Sequence, residues 1–310
     1  MTTAGNERTP GTPTQMTCFD DIYDRPDPRS YFGALGPLEY QTPQHARSVF
    51  RGLLPLVGLP EASEASEVTE APERPADGQD GEPQANVLDI CCSYGINAAL
   101  LNHHVTLDEL YKRYTSPQVA DLTTAELIES DREYYAARRR PDAVPVIGLD
   151  IAAQAVAYGR AVGLLDAGFA ENLETAPPSP ELYRATRGTR LITVTGGSSF
   201  LSARTFRPLL EGRRELPWVA AFVLRTGSYQ DIADGLAALG MTTEKDTSRT
   251  YRQRCFTDSD EQRYAVAAVS ALGDDPRGKE TDGYFHTALH LTRPAAQAAA
   301  RPLHALLRDR

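Results

Sequence analysis

Apolar residues along the chain follow two alternating patterns. Short, nearly continuous apolar runs occur at 87–90, 144–149, 190–195 and 218–224, the last reading Trp218-Val219-Ala220-Ala221-Phe222-Val223-Leu224. Each is followed by a segment with helical spacing, at 95–103, 152–163 (Ala155, Val156 and Ala157 inward), 202–211 and 229–239, the last closed by Gly240. Apolar strands between amphipathic helices predict an α/β fold with a doubly wound, mostly parallel sheet. The end changes character. Thr242–Phe256 and Gly283–Leu291 alternate as a long antiparallel hairpin, with a helix at 259–272 between them. Two further helical pieces frame the core. Gln44–Val57 places Ala46, Val49, Phe50, Leu53 and Leu54 on one side, within an N-terminal helical cap at 18–59. The first crossover carries a helical insertion at 104–143, with helices at Leu107–Tyr114 and Thr124–Arg139. An insertion there lies beside the crevice outside the strand tips, and reads as a lid or substrate wall, with a partner surface or plain padding as the alternatives.

Composition sets the remaining boundaries. Residues 1–17 are rich in Thr, Gly and Pro and are expected to form a disordered tail. Residues 60–86 are poor in apolar side chains and are expected to form a disordered acidic linker. The core then spans 87–295, with a helical tail at 296–310. The formal charge is −10; residues 61–82 carry eight acids and one arginine, −7 of it, so the rest is only mildly acidic. Arg138-Arg139-Arg140 is the densest basic cluster and reads as a solvated helix end, so no nucleic-acid partner is expected. Cys18, Cys91, Cys92 and Cys255 form no C-x-x-C pair and have no histidine at ligand spacing, so no metal site is expected and a reducing, cytoplasmic setting is. The start of the chain has no apolar leader core, and no apolar run approaches the ~18 residues of a membrane span.

The chemistry concentrates in Val87-Leu88-Asp89-Ile90-Cys91-Cys92-Ser93-Tyr94-Gly95-Ile96-Asn97, where a strand ends at an acid and passes through a tight turn into a helix. The next strand ends likewise, at Asp150. Over roughly residues 85–295 this order resembles the class I S-adenosylmethionine-dependent methyltransferases, whose Rossmann-like sheet also closes with a C-terminal hairpin. Their first motif reads acid-x-Gly-x-Gly-x-Gly. Aligned on Asp89, its glycine positions fall on Cys91, Ser93 and Gly95, and only the last is kept. Cys and Ser are small enough for close backbone approach, but a positive φ at either site would be strained.

The resemblance implies S-adenosyl-L-methionine as cofactor and assigns roles residue by residue. Asp89 and the turn hold the methionine portion, Asp150 takes both ribose hydroxyls and Ile151 lies against adenine. Asn172, followed by Leu173, meets the adenine amino group, with Asp166 as second choice. Thr195 and Gly196 begin the loop beneath the sulfonium, and Ser198, Ser199 and Phe200 face the acceptor. Tyr23 and Tyr40 echo an N-terminal clasp over the methionine end. Read without the resemblance, Asp89 and Asp150 are helix caps, Asn172 forms a turn and the tyrosines are core or surface aromatics.

No general base emerges. His286 and His290 share a strand face, and His103 and His104 close the first helix. Arg252 and Arg254 fall on one face of the predicted strand, where they receive an acidic substrate or simply protect a sheet edge. The expected activity is methyl transfer to a small molecule, with oxygen the preferred acceptor and nitrogen or carbon open; a homodimer is possible. Two alternatives stand beside it. One is a cofactor-binding member of the fold without methyl transfer, suggested by the lost glycines. The other is a nicotinamide-dependent oxidoreductase, which requires a Gly-x-Gly-x-x-Gly turn that this chain lacks after its first strand.

Overall fold

A computed structural model describes residues 16–60 and 83–308. Eight strands form one sheet: β1 Asn86–Ile90, β2 Val146–Asp150, β3 Ala167–Ala170, β4 Thr189–Thr195, β5 Trp218–Leu224, β6 Met241–Lys245, β7 Tyr251–Cys255 and β8 Tyr284–Pro294. Their order is β3-β2-β1-β4-β5-β8-β6, with β7 also on β8. The pairs from β3 to β5 are parallel, and β8 runs antiparallel to β5. The order reverses between β1 and β4, which opens a ligand crevice at the carboxyl ends of these strands.

The cap comprises α1 Asp20–Tyr23, α2 Arg29–Leu35 and α3 Thr42–Leu53, the last running on as a 3-10 turn through Val57. After β1 come α4 Ile96–Asn102 and the insertion helices α5 Leu107–Tyr114, α6 Pro117–Ala120 and α7 Thr124–Ala136. Then follow α8 Ala153–Ala161, α9 Pro180–Ala185, α10 Ala203–Leu210, α11 Gln230–Ala237, α12 Ser259–Ala271, α13 Ala295–Ala300 and α14 Leu303–Arg308. Capping boxes at Thr106/Glu109 and Thr123/Glu126 start α5 and α7, each satisfying amides left open at the helix start. The strands alternate between two cores. Val87, Leu191, Ala220 and Phe222 face the cap, α4 and α8, while Leu88, Ile192, Val219 and Ala221 face α10 and α11. No described helix is long and apolar enough to cross a membrane.

Several expectations need correction. The tail and linker fall largely outside the described residues, but Asn86 already belongs to β1, and Thr17 is anchored by its amide on Glu261 Oε1 (2.7 Å). Helix α7 ends at Ala136, because the backbone turns back. Arg140 donates its amide to Asn102 O (2.8 Å) and is buried, so the arginine triplet lies past the helix, with Arg139 exposed, Arg138 half-buried and Arg140 drawn inward. The expected strand 242–256 is two strands laid end to end on β8. Asp246 causes the break: its Oδ1 accepts from the amide and hydroxyl of Ser248 (2.9 and 2.6 Å), a side-chain turn that competes with the ladder.

Candidate functional site

Strand β1 delivers Asp89 to the switch point beneath the cap, where it is 1% exposed. Its Oδ1 accepts from Thr193 Oγ1 (2.7 Å) and Asn97 Nδ2 (2.9 Å), while Oδ2 is buried without a partner. Asn97 Nδ2 also donates to Thr195 Oγ1 (2.8 Å), so one network spans β1, α4 and β4. Burial pushes the Asp89 carboxyl up to about 7, against the pull of Thr193 and Asn97. A buried polar atom without a partner costs about 1–3 kcal/mol, which a polar ligand recovers.

The turn after Asp89 adopts a left-handed conformation at all three motif positions: φ is 60° at Cys91, 48° at Ser93 and 82° at Gly95. Only the last is glycine, so two L-residues sit where glycine is favoured. Glycines stand opposite the two thiols that follow Ile90. A Cβ on Gly197 would sit 2.3 Å from Cys91 Sγ, and one on Gly148 would sit 2.7 Å from Cys92 Sγ. The two thiols thus occupy space left free beside β4 and β2, and burial holds both well above the usual thiol range. Ser93 Oγ is buried without a partner.

Asp150 ends β2 beside this turn. Its Oδ2 accepts from the Ser93 amide (2.8 Å) and its Oδ1 from the Ala152 amide (3.0 Å). Each oxygen keeps capacity for another donor. Ile151 follows, an apolar side chain 70% exposed.

The cap roofs Asp89. Tyr40 is buried, its hydroxyl 2.8 Å from where a Cβ on Gly196 would lie. Burial pushes that hydroxyl well above its ordinary value, with Tyr23, Tyr111 and Asp89 adding to the effect. Tyr23 and Tyr40 both pack edge-on against Tyr31, at 5.6 and 6.4 Å between ring centres. Tyr94, inside the turn, accepts from the Arg25 amide (3.0 Å) and donates toward the carbonyls of Ile22 and Arg25, fastening the cap to the turn. Gln154 at the start of α8 grips Asp24 (2.7 and 2.9 Å). The insertion holds the other side: Arg29 pairs with Asp27 and donates to the carbonyls of Val119, Ala120 and Leu122, and Tyr111 donates to Tyr40 O (2.8 Å).

The remaining candidates divide. Thr195, Gly196 and the buried Ser198 line the loop after β4, while Ser199 and Phe200 (74%) are exposed beside it. Asn172 is exposed after β3 and accepts from the Glu174 amide (3.0 Å), a turn-forming bond, and Leu173 is buried in the α10 and α11 core. Asp166 is not brought to the crevice. It precedes β3 and caps the start of β2 through the Val146 amide (2.9 Å), at the opposite edge of the sheet. Arg254 is not a substrate residue either. Between Arg252 and Cys255 strand β7 bulges against β8, which turns Arg254 inward onto Glu261 (2.7 and 2.9 Å) at 1% exposure. Arg252 stays exposed over the Tyr284 ring. His286 contacts Thr250 Oγ1 (2.9 Å), and His290 lies against Tyr229 on the α11 side. Cavities of about 490 and 420 Å³ lie elsewhere, along the outer edge of β3 and between α11 and β6, and neither is lined by Asp89 or Asp150.

Sequence reasoning missed Asn97, Thr193 and Tyr94. Asn97 carried a signal, as a lone polar side chain at the start of the apolar helix Ile96–Leu101.

No family model matches the sequence, and neither does any curated protein. Among solved structures the chain is similar to precorrin 8W decarboxylase of Methanobacterium thermoautotrophicum (13% identity, 68% of this chain and 83% of that one, TM-score 0.30). It is also similar to the plantazolicin methyltransferase BpumL in complex with SAH (9%, 68% and 76%, TM-score 0.29). A third is an SAM-dependent methyltransferase from Thiobacillus denitrificans in complex with S-adenosyl-L-homocysteine (11%, 69% and 86%, TM-score 0.29).

Proposed function

We propose that the protein is an S-adenosyl-L-methionine-dependent methyltransferase acting on a small-molecule acceptor. One observation carries this reading: two carboxylates end adjacent parallel strands on either side of a left-handed turn, and one of them has a buried oxygen with no partner. The residues fit the cofactor. Asp150 has one free acceptor site per oxygen, which would suit a vicinal diol, Ile151 would offer an apolar face to a purine, and Asp89 Oδ2 would be left to accept from the charge-bearing end. When bound, the cofactor supplies an electrophilic methyl group on a sulfonium. The chain's own residues bind, orient and exclude water. The network of Thr193, Asn97 and Thr195 fixes Asp89, the Ser93 amide fixes Asp150, and Asp89 is closed off from solvent beneath the tyrosines.

Calorimetric titration with S-adenosyl-L-methionine tests the reading. The wild type binds, and Asp150→Ala weakens binding by about 2–3 kcal/mol as two hydrogen bonds to a charged acceptor disappear. An equal dissociation constant in the variant, or no binding by the wild type, overturns it. Mass analysis of acceptor mixtures after incubation then identifies the methylated product.

A further inference from the structure

Beyond the turn, one buried amide at the same edge of the sheet lacks a role. Gln253 on β7 is 3% exposed, and its Oε1 is buried without a partner. No hydrogen bond holds its side chain among the described residues, although its backbone carbonyl accepts from the Gln41 amide (2.8 Å). A buried primary amide normally satisfies both its donor and its acceptor. Its neighbour on β7, Tyr251, likewise has a buried hydroxyl without a partner.

The position of these groups is specific. Gln41, bonded to Gln253, follows Tyr40, whose hydroxyl stands over Gly196 after β4. Tyr251 packs on Phe222 (ring centres 5.0 Å apart), and Phe222 pairs with Thr195, the outer member of the Asp89 network. Gln253 and Tyr251 therefore sit under the cap on the β4–β5 side of Asp89, opposite Asp150. A methyl donor held by Asp89 and Asp150 leaves this side for its acceptor.

We infer that Gln253 orients the acceptor, its amide pairing with an uncharged group that carries a hydrogen-bond donor and acceptor side by side, as a lactam or pyridone does. This rests on the methyl-transfer reading of the site. The chemistry favours a neutral partner. Arg252, the nearby cation on β7, points outward over Tyr284, Arg254 is neutralised by Glu261, and Arg249, over the Tyr251 ring, is paired with Asp246, so the neighbouring guanidinium groups are turned outward or already matched by a carboxylate.

The test uses the full-length protein, with and without saturating S-adenosyl-L-homocysteine, and three probes followed by NMR titration: 2-pyridone (neutral donor–acceptor), benzoate (anion) and benzylamine (cation). 2-Pyridone is expected to bind tightest, and Gln253→Leu to weaken it about tenfold, the loss of two neutral hydrogen bonds, while affinity for the homocysteine product stays within about twofold. Gln253→Glu, which keeps size but offers only acceptors, is expected to transfer preference to benzylamine and guards against a folding defect in the leucine variant. Tighter binding of benzoate to the wild type, or unchanged 2-pyridone affinity in both variants, overturns the assignment. Failure of the wild type to bind the homocysteine product removes the methyl-transfer reading instead, and 2-pyridone binding without it still judges Gln253.

Discussion

Replacing Ser93 by glycine should raise stability and lower donor affinity together, a combination that a merely structural role does not produce. Ser93 sits at φ 48°, where an L-residue costs about 1–2 kcal/mol. Its hydroxyl is buried without a partner, a further cost of about 1–3 kcal/mol when no ligand is present. Glycine removes both terms and keeps the amide that donates to Asp150 Oδ2, while adding about 0.5–1 kcal/mol of chain entropy to the unfolded state. The balance is a gain of about 1–4 kcal/mol, or roughly 2 °C or more in Tm for a chain of this size. If the hydroxyl serves the donor, its loss weakens binding by the worth of one neutral hydrogen bond, roughly threefold to tenfold. Ser93→Ala separates the terms, since it deletes the hydroxyl but keeps the strained backbone. Calorimetry with S-adenosyl-L-methionine and a thermal melt of each variant provide the readouts. A lower Tm for Ser93→Gly refutes the strain argument, and unchanged donor affinity in both variants removes the hydroxyl from the site.

Other outcomes follow from the same geometry. The Asp89 carboxyl, raised to about 7 chiefly by burial, holds its proton below that pH in the folded chain; the fold therefore loses stability as pH rises from about 4 to 7, and donor affinity increases over pH 6–8. Donor binding at pH 6 should release a proton, visible as a buffer-dependent heat, and a flat profile from pH 5 to 8 would contradict this. Burial opposes ionisation of Glu261, but Arg254 and the amides of Thr17 and Thr257 prevail and bring it down to about 2. Its contribution is full above about 4.5 and fades as pH falls toward 2, so acid should loosen Thr17 and β7, and Glu261→Gln should flatten that dependence in melts across pH 2–5. Gly197→Ala drives a methyl into Cys91 Sγ and should cost about 1–3 kcal/mol by denaturant titration; adding Cys91→Gly should restore most of it, and additive losses would exclude the contact.

The sequence made the alternating core legible because its strands are apolar on both faces and its helices are punctuated by capping residues and glycines. It placed Asp89 and Asp150 at strand tips for the same reason. What it misplaced depended on local departures from period two. The bulge at Gln253–Arg254 reverses which side chain turns inward, so Arg254 became an internal ion pair and Gln253 a buried amide. Asp246 interrupts an alternation that reads as one continuous strand. Asp166 carries the residue type of a ligand but sits at the wrong end of its strand, a distinction that register alone decides. The positive φ at Cys91 and Ser93 is fixed by the turn's backbone path, and neither residue type announces it.

Tyr94 lies between two left-handed residues and grips the cap through the backbone of Arg25. Whatever seats against that bend therefore also tenses the tether. Hydrogen–deuterium exchange at the Arg25 amide becomes a remote gauge of occupancy, slowing when the crevice fills although no ligand atom need come near it.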